Sequence, residues 1–182
     1  NISVLNSYFH HAFNYGGGGR GYGCVLQFGA SNNLVQNNVF KHLRHGVLLQ
    51  VSPNGNVIGY NYLFEPYWDQ VPTNSAGQLV LHGNYPFTNL FEGNICENIV
   101  IDDSHGLNGP YNTYLRNRAT GYGIFMTAGV ASRTNFVGNE ITGTLYTITG
   151  QNNYLYGNNN KGAISPSNIS SLPDTSYYLT TI

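Results

Sequence analysis

Short apolar runs alternate with polar residues along the chain, and an asparagine recurs within them. In the clearest copy, residues 57–64, Asn61 lies between the apolar Ile58 and Leu63. Aligned copies place asparagines at Asn6, Asn38, Asn61, Asn94, Asn117, Asn139 and Asn158, with spacings of 32, 23, 33, 23, 22 and 19 residues. A repeat of roughly 20 to 25 residues made of β-type runs is typical of a solenoid, in which each coil buries its apolar face against its neighbours.

A second apolar run follows in most coils and shows period-2 alternation. The runs align as residues 24–27, 47–50, 79–82, 99–102, 124–127 and 145–148. Their first and third positions are mostly apolar and are predicted to point inward. The second, outward position is also apolar, which forms a stripe of Val25, Leu48, Val80, Val100, Phe125 and Tyr146. Such a stripe requires cover by a long loop, a neighbouring domain or another copy of the chain.

Three segments interrupt the repeat. Residues 16–23 are glycine-rich and predict a loop, and residues 65–77 form a second insertion with the only tryptophan. These two segments account for the 32- and 33-residue spacings. A smaller excursion, residues 104–111, leaves the next coil at the same end. The glycine-rich loop lacks the Gly-Lys-Ser/Thr motif that a phosphate-binding loop requires.

The repeat predicts an all-β fold, a right-handed parallel β-helix (solenoid) of about seven coils with an internal asparagine ladder. The ladder is expected because stacked amides can bond to one another and to turn backbone from coil to coil. We place the β-helix at residues 1–164 and an irregular tail at residues 165–182. Since the chain begins inside a repeat and the pattern fades in the tail, we expect a mature product or a fragment with further chain after it.

Composition narrows the classes of partner. Charged residues make up 8% of the chain and the net charge is −1, so a basic surface for nucleic acid is not expected. The longest apolar runs fall short of the 18 residues that a membrane-spanning helix needs. Cys24 and Cys96 fall in core columns on different walls, which predicts two free buried thiols rather than a disulfide.

Several segments resemble secreted bacterial β-helix proteins of the pectate-lyase-like superfamily. The resemblance is carried by residues 81–87, 89–94 and 101–106, and by the Leu-Pro-Asp-Thr-Ser-Tyr tail at 172–177. It implies an extracellular or cell-surface location. That superfamily includes polysaccharide lyases, glycoside hydrolases, phage tailspikes and adhesins, so it does not choose an activity. The chain has no residue-for-residue match to the catalytic aspartate clusters of pectate lyases or the paired motifs of polygalacturonases.

The outward fourth column contains the candidate chemistry. It reads Gln27, Gln50, His82, Asp102 and Thr127 over successive coils. Because neighbouring coils lie about 4.8 Å apart, His82 and Asp102 are expected side by side, with Asp103 and His105 close by. A carboxylate beside an imidazole suits general acid–base catalysis, so these four are the candidate catalytic residues. The alternative is an ordinary cross-strand pair on a solvated surface.

Candidate substrate-binding residues surround this column. The rings of Tyr67, Trp68 and Tyr85 are suited to stacking on pyranose rings. Gln50 belongs to the polar column itself, and Arg44 lies in a basic cluster, residues 41–45, suited to an anionic glycan.

Two other chemistries would need further residues near the column. Glycoside hydrolysis by paired carboxylates would require Asp69 or Glu65 to fold back towards the column. No cofactor and no metal site is predicted, although calcium at Asp102 and Asp103 was considered, with Glu92 as a further oxygen ligand. Zinc-motif spacing is absent.

The sequence therefore favours an extracellular carbohydrate-handling domain that binds, and in one version cleaves, a polysaccharide as lyase or hydrolase. The rival is a non-catalytic structural or adhesive solenoid, such as a fibre or cell-surface component. The two differ in one expectation. An enzyme should show a cleft in which His82, Asp102 and Asp103 converge, walled by residues 65–77, whereas a structural protein should show that face flat or buried against a neighbour.

Overall fold

The structure, a computed structural model, describes residues 1–127, 133–166, 172–173 and 175–180. This part of the chain contains nineteen strands and no helix. In chain order the strands are β1 (Ser3–Leu5), β2 (Tyr8–His10), β3 (Tyr22–Leu26), β4 (Leu34–Gln36), β5 (Val39–Lys41), β6 (His45–Leu49), β7 (Val57–Gly59), β8 (Tyr62–Phe64), β9 (Leu79–His82), β10 (Leu90–Glu92), β11 (Ile95–Asp102), β12 (Thr113–Leu115), β13 (Arg118–Met126), β14 (Asn135–Val137), β15 (Glu140–Ile141), β16 (Leu145–Thr147), β17 (Tyr154–Tyr156), β18 (Asn158–Asn160) and β19 (Ala163–Ser165).

The strands form two walls of a parallel β-solenoid. The first sheet has seven strands in the order β1-β4-β7-β10-β12-β14-β17, so six full turns separate its first strand from its last. The second sheet has twelve strands and contains the runs that carry the candidate site. Its last strand, β19, pairs antiparallel with β18 and ends the regular stacking. The predicted all-β parallel solenoid is confirmed.

Like residues stack on like residues in the core because each coil repeats the register of the last. The middle residue of each first-sheet strand points inward, and Phe91, Tyr114 and Phe136 stack there. Their ring centroids are 4.6 and 5.3 Å apart and the rings are almost parallel, at 6° and 7°. All three side chains are fully buried, as the alternation predicts.

The asparagine ladder is present at the corner between the two sheets. From Asn61 onwards, each ladder oxygen accepts bonds of 2.9 to 3.1 Å from the backbone N and the Nδ2 of the ladder residue one coil earlier. Each Nδ2 also donates to a backbone carbonyl oxygen of the preceding coil. The ladder consists of Asn38, Asn61, Asn94, Asn117, Asn139 and Asn158, all of them buried.

Asn6 does not belong to this ladder. It is exposed and lies opposite Asn37, while the backbone N of Ser7 donates to Asn38 Oδ1. The residue before each ladder asparagine, not the asparagine itself, has the left-handed backbone, with φ of 51° at Asn6, 55° at Asn37 and 54° at Tyr60. Asn6 therefore occupies this left-handed position, which asparagine tolerates well.

A second ladder was not predicted. It lies five residues before the first and includes Asn33, Asn56, Asn89 and Asn112, with Thr134 and then Asn153 in the later coils. The constant five-residue separation of paired asparagines was visible in the sequence as a signal for it. Two ladders hold the two ends of each first-sheet strand.

One predicted column is wrong in the last coil. Tyr146 pairs with Ile124, and Thr147 pairs with Phe125, so Tyr146 is not in the outward stripe. Ala119 pairs with Ile141, an offset of 22 residues, and the same offset continues through this coil. The predicted column used an offset of 21, and a one-residue change of register moves a side chain to the other face of the sheet. The Tyr146 ring consequently packs against the core.

The two cysteines form no disulfide, and the described part of the tail lies against the first sheet. Cys24 and Cys96 are free thiols, the first half-buried and the second buried. The described tail residues cross the outside of the first sheet, where Thr175 O accepts from Arg116 Nη1 at 2.7 Å and Tyr177 N donates to Glu92 Oε2 at 3.0 Å.

Candidate functional site

The insertion at residues 65–77 lies over the second sheet and encloses a cleft of about 480 Å³. Trp68 and Ala76 line it from the insertion, while Val100 and Phe125 line it from the strands. The sheet anchors the end of the insertion: buried Asn98 donates from Nδ2 to Asn74 O at 2.9 Å and to Ala76 O at 3.0 Å. The cleft is thus a product of the interrupted repeat.

The apolar stripe forms the floor beneath the insertion. Leu48 and Val80 are fully buried, while Val25 and Phe125 remain 41% and 38% exposed. Gly77 permits this packing, because a Cβ at that position would lie 2.7 Å from the side chain of Val100. Cover of the exposed parts by a neighbouring domain or another copy stays a prediction.

His82 and Asp102 form a hydrogen-bonded pair in the lining of the cleft. They are register partners on β9 and β11, and His82 Nδ1 lies 2.8 Å from Asp102 Oδ2. Their side chains are 16% and 19% exposed. Because a carboxylate only accepts, His82 Nδ1 carries the proton of the neutral ring. His82 Nε2 makes no hydrogen bond within the described ranges, so it is the nitrogen left for chemistry.

Asp102 is held as a carboxylate. Partial burial raises its pKa, but hydrogen bonds from His82 and Ser104 outweigh that effect and leave the pKa below its ordinary value. Ser104 donates to Asp102 Oδ1 from both its backbone N, at 3.0 Å, and its hydroxyl, at 2.5 Å. Ser104 Oγ lies 3.3 Å from His82 Nδ1, the nitrogen that Asp102 already occupies, so this is not a serine nucleophile's arrangement, in which the hydroxyl meets the other ring nitrogen.

His45 lines the same cleft and is only 8% exposed. Its Nδ1 lies 2.7 Å from Gly77 O, and its ring centroid is 6.3 Å from that of His82. Burial lowers the pKa of His45 to about 4, with further lowering by Arg44 and His82 and an opposing effect of the Gly77 bond and Asp102. His45 is therefore a neutral ring at pH 7, not part of a solvated basic cluster.

Arg44 and Trp68 also line the cleft. The Arg44 guanidinium carbon lies 4.8 Å from the centroid of the Trp68 ring and 5.5 Å from that of Tyr22. Arg44 Nη1 donates to Gly16 O at 2.8 Å, which ties the glycine-rich loop to the cleft. Both Arg44 and Trp68 were predicted as substrate-binding residues, and the structure places both beside the His82–Asp102 pair.

The other predicted catalytic residues lie near the pair but do not line the cleft. The His105 ring packs 4.5 Å from the His82 ring, centroid to centroid, and its Nδ1 lies 3.1 Å from Ser104 Oγ. Asp103 is exposed, and its Oδ1 lies 3.4 Å from the Thr127 hydroxyl.

Three predicted binding residues also lie outside the cleft lining. Tyr67 stacks on His42, with centroids 4.7 Å apart. Tyr85 is 53% exposed, and Gln50 Oε1 accepts from Gln27 Nε2 at 3.0 Å.

Among the residues that the structure describes, Asp102 is the one carboxylate that lines the cleft. Glu65 lies 3.6 Å from Lys41 Nζ, and Asp69 lies beside Gly16, so neither folds back towards His82. Glu92, considered as a calcium ligand, is buried in the first sheet, where its Oε1 accepts from the Tyr60 hydroxyl at 2.9 Å. Across the described residues no group of three His, Cys, Asp or Glu is placed to hold a metal ion.

Sequence reasoning missed His45 and Ser104 as members of this site. His45 pairs with Tyr22 at the start of β6, and its place in the basic cluster of residues 41–45 gave no sign that it is buried in the cleft lining. Ser104 follows Asp102 by two residues, a spacing at which serine commonly bonds to an aspartate.

These features define a parallel β-solenoid with two polar ladders and a walled lateral cleft. Comparison with models of known protein families, with curated proteins and with solved structures finds no match to this chain. No helix in the described ranges is long and apolar enough to cross a membrane.

Proposed function

We propose that this solenoid is an extracellular or cell-surface domain that binds a polysaccharide in the cleft and cleaves it with His82 as general base. The single observation that carries the proposal is the hydrogen bond from His82 Nδ1 to Asp102 Oδ2 in the lining of a cleft of about 480 Å³. The carboxylate fixes the orientation and tautomer of the ring, while Nε2 is left to take a proton.

The lining supports a sugar as the ligand. Trp68 provides an aromatic ring, and Val100 and Phe125 provide apolar surface, while a small number of polar groups converge on the same space. Sugar-binding clefts combine such features, because a pyranose has both apolar faces and hydroxyl edges. The sequence motifs that resemble the pectate-lyase-like superfamily agree with this choice of ligand.

Paired-carboxylate hydrolysis is not favoured by this geometry. That mechanism needs two carboxyl groups facing each other across the scissile bond. Among the described carboxylates Asp102 alone lines the cleft, and it is engaged by His82 and Ser104. We therefore assign to His82 Nε2 the proton of the attacking water: the water oxygen bonds to the anomeric carbon, the glycosidic C–O bond breaks, and the departing oxygen takes a proton from solvent, to which the ring later returns its own.

A screen of neutral and uronate polysaccharides tests the proposal. The wild-type protein should bind at least one and release soluble product from it, and His82→Ala should lower the rate by about 100-fold or more, as expected for loss of a general base. His10→Ala is the matched control, because His10 is exposed on the first coil away from the cleft. Absence of binding across the panel would leave the structural or adhesive solenoid as the function, and binding without product would remove the catalytic part.

A further inference from the structure

Three buried polar atoms around the cleft lack a hydrogen-bond partner. Seven buried side-chain nitrogen or oxygen atoms are unpartnered in the part of the chain that is described, and three of them are Arg44 Nε, His45 Nε2 and Trp68 Nε1. All three residues line the cleft. Buried polar atoms are normally satisfied, so their concentration at one cavity points to a ligand that satisfies them.

The hydrogen-bonding role of each atom is fixed. Arginine Nε and tryptophan Nε1 can only donate. His45 Nδ1 lies 2.7 Å from Gly77 O, and because a carbonyl oxygen only accepts, Nδ1 must carry the proton. In a neutral imidazole the other nitrogen is then an acceptor, so His45 Nε2 requires a donor from the ligand.

We propose that the cleft selects a neutral, polyhydroxylated sugar, whose oxygens accept from Arg44 and Trp68 and one of whose hydroxyls donates to His45 Nε2. A hydroxyl group both donates and accepts, which meets both requirements. A carboxylate can only accept hydrogen bonds. Next to His45 it would place a negative charge beside the lone pair of Nε2. This inference rests on the proposed function and narrows its substrate class to neutral sugars rather than uronates.

The charges of the lining agree with a neutral ligand. Within the described part of the chain, Arg44 is the one Lys or Arg side chain that lines the cleft, and Asp102 lines the same space with the opposite charge. The Arg44 guanidinium is also committed to Gly16 O and to two aromatic rings. The cleft therefore has no net positive charge with which to bind a polyuronate.

Isothermal titration calorimetry with defined hexasaccharides tests this selectivity. The probes are neutral oligosaccharides from cellulose, xylan and mannan, and acidic ones from polygalacturonate and alginate. We expect at least one neutral probe to bind tenfold or more tightly than either acidic probe.

Conservative variants test the contacts themselves. Trp68→Phe keeps an aromatic ring without the N–H, and Arg44→Lys keeps the charge without Nε. Each should weaken binding of the neutral probe about 2- to 10-fold, the effect of one hydrogen bond. Tyr154→Phe, at an exposed tyrosine outside the cleft, should bind as wild type does. His45 is not varied, because its contact with Gly77 also holds the insertion.

These outcomes distinguish this inference from the proposed function on which it rests. Tighter binding of an acidic probe, or wild-type affinity for neutral probes in both Trp68→Phe and Arg44→Lys, would overturn the inference and leave polysaccharide binding intact. Failure of every probe to bind would overturn the proposed function and the inference together.

Discussion

The Nδ1 of His45 donates to the carbonyl oxygen of Gly77 over 2.7 Å, and this bond joins the start of β6 to the end of the insertion that walls the cleft. One buried side chain thereby closes the insertion onto the sheet and presents an unpartnered nitrogen to the cleft. Structural stability and the candidate site are linked at this residue.

The stability of the protein should fall as the pH drops from about 6.5 towards about 4. His45 has a pKa of about 4 in the folded state against an ordinary value of 6.5, so the unfolded chain binds a proton first. Stability is complete above pH 6.5 and is lost down to pH 4, by about 3 kcal/mol for a shift of this size. Urea unfolding at pH 7, 5.5 and 4 measures the effect.

The contribution of His45 is isolated by comparing variants. His45→Gln should show a smaller loss over this pH range, whereas His10→Gln should follow the wild type, because His10 is exposed. The charged groups around His45 are Arg44, His82 and Asp102, and the Asp102 carboxylate titrates below this range because its pKa is lowered. Equal pH slopes in wild type and His45→Gln would contradict the prediction.

His82 should exist as the Nδ1–H tautomer when neutral. Asp102 Oδ2 lies 2.8 Å from Nδ1 and can only accept, which holds the proton on that nitrogen. Nitrogen-15 NMR of the histidine ring distinguishes the two tautomers directly. Asp102→Ala should shift the population towards Nε2–H, while Asp103→Ala should not, because Asp103 contacts Thr127 rather than His82. A wild-type ring protonated on Nε2 would be incompatible with His82 as the oriented base.

Asn94→Ala should destabilise the fold by several kcal/mol. Its Oδ1 accepts from the backbone N and the Nδ2 of Asn61, and its Nδ2 donates to Ile58 O and to Asn117 Oδ1. Removing the side chain leaves buried donors and acceptors without partners, and each of these costs about 1–3 kcal/mol of stability. Equilibrium chemical denaturation measures the loss.

Asn135→Ala is the matched control for the ladder. Asn135 is half-buried and makes one side-chain bond, to Thr113 Oγ1 at 3.0 Å, so a loss of about 1 kcal/mol or less is expected. Similar losses of stability for Asn94→Ala and Asn135→Ala would show that a ladder asparagine contributes no more to stability than a half-buried asparagine outside the ladder.

Gly77→Ala should loosen the insertion. The new Cβ would lie 2.7 Å from Val100 and 2.9 Å from Val80, both in the packed floor, so the insertion must shift at a cost of about 1–3 kcal/mol. Hydrogen–deuterium exchange should become faster across residues 65–77. Gly17→Ala is the control, because a Cβ there meets nothing within 4 Å. Unchanged exchange in Gly77→Ala would mean that the insertion is not held by this packing.

The neighbourhood of His82 and Asp102 was predictable from sequence because a parallel solenoid keeps its register from coil to coil. The same rule failed for Tyr146, where the sequence was aligned with a 21-residue offset and the coil keeps 22. The second ladder was open to prediction as well, since its asparagines precede those of the first by a constant five residues.

The sequence by itself determined the solenoid, its inward columns, its first asparagine ladder and the His82–Asp102 contact, because all of these follow from a local repeat. Only the tertiary structure decided that residues 65–77 lie over the sheet, that His45 is buried with its Nε2 unpartnered, and that Trp68 and Arg44 line the same cleft as the pair. The physical reason is that an insertion has no repeat to fix its path. Its position depends on long-range contacts with Asn98, His45 and Val100, which no periodicity encodes.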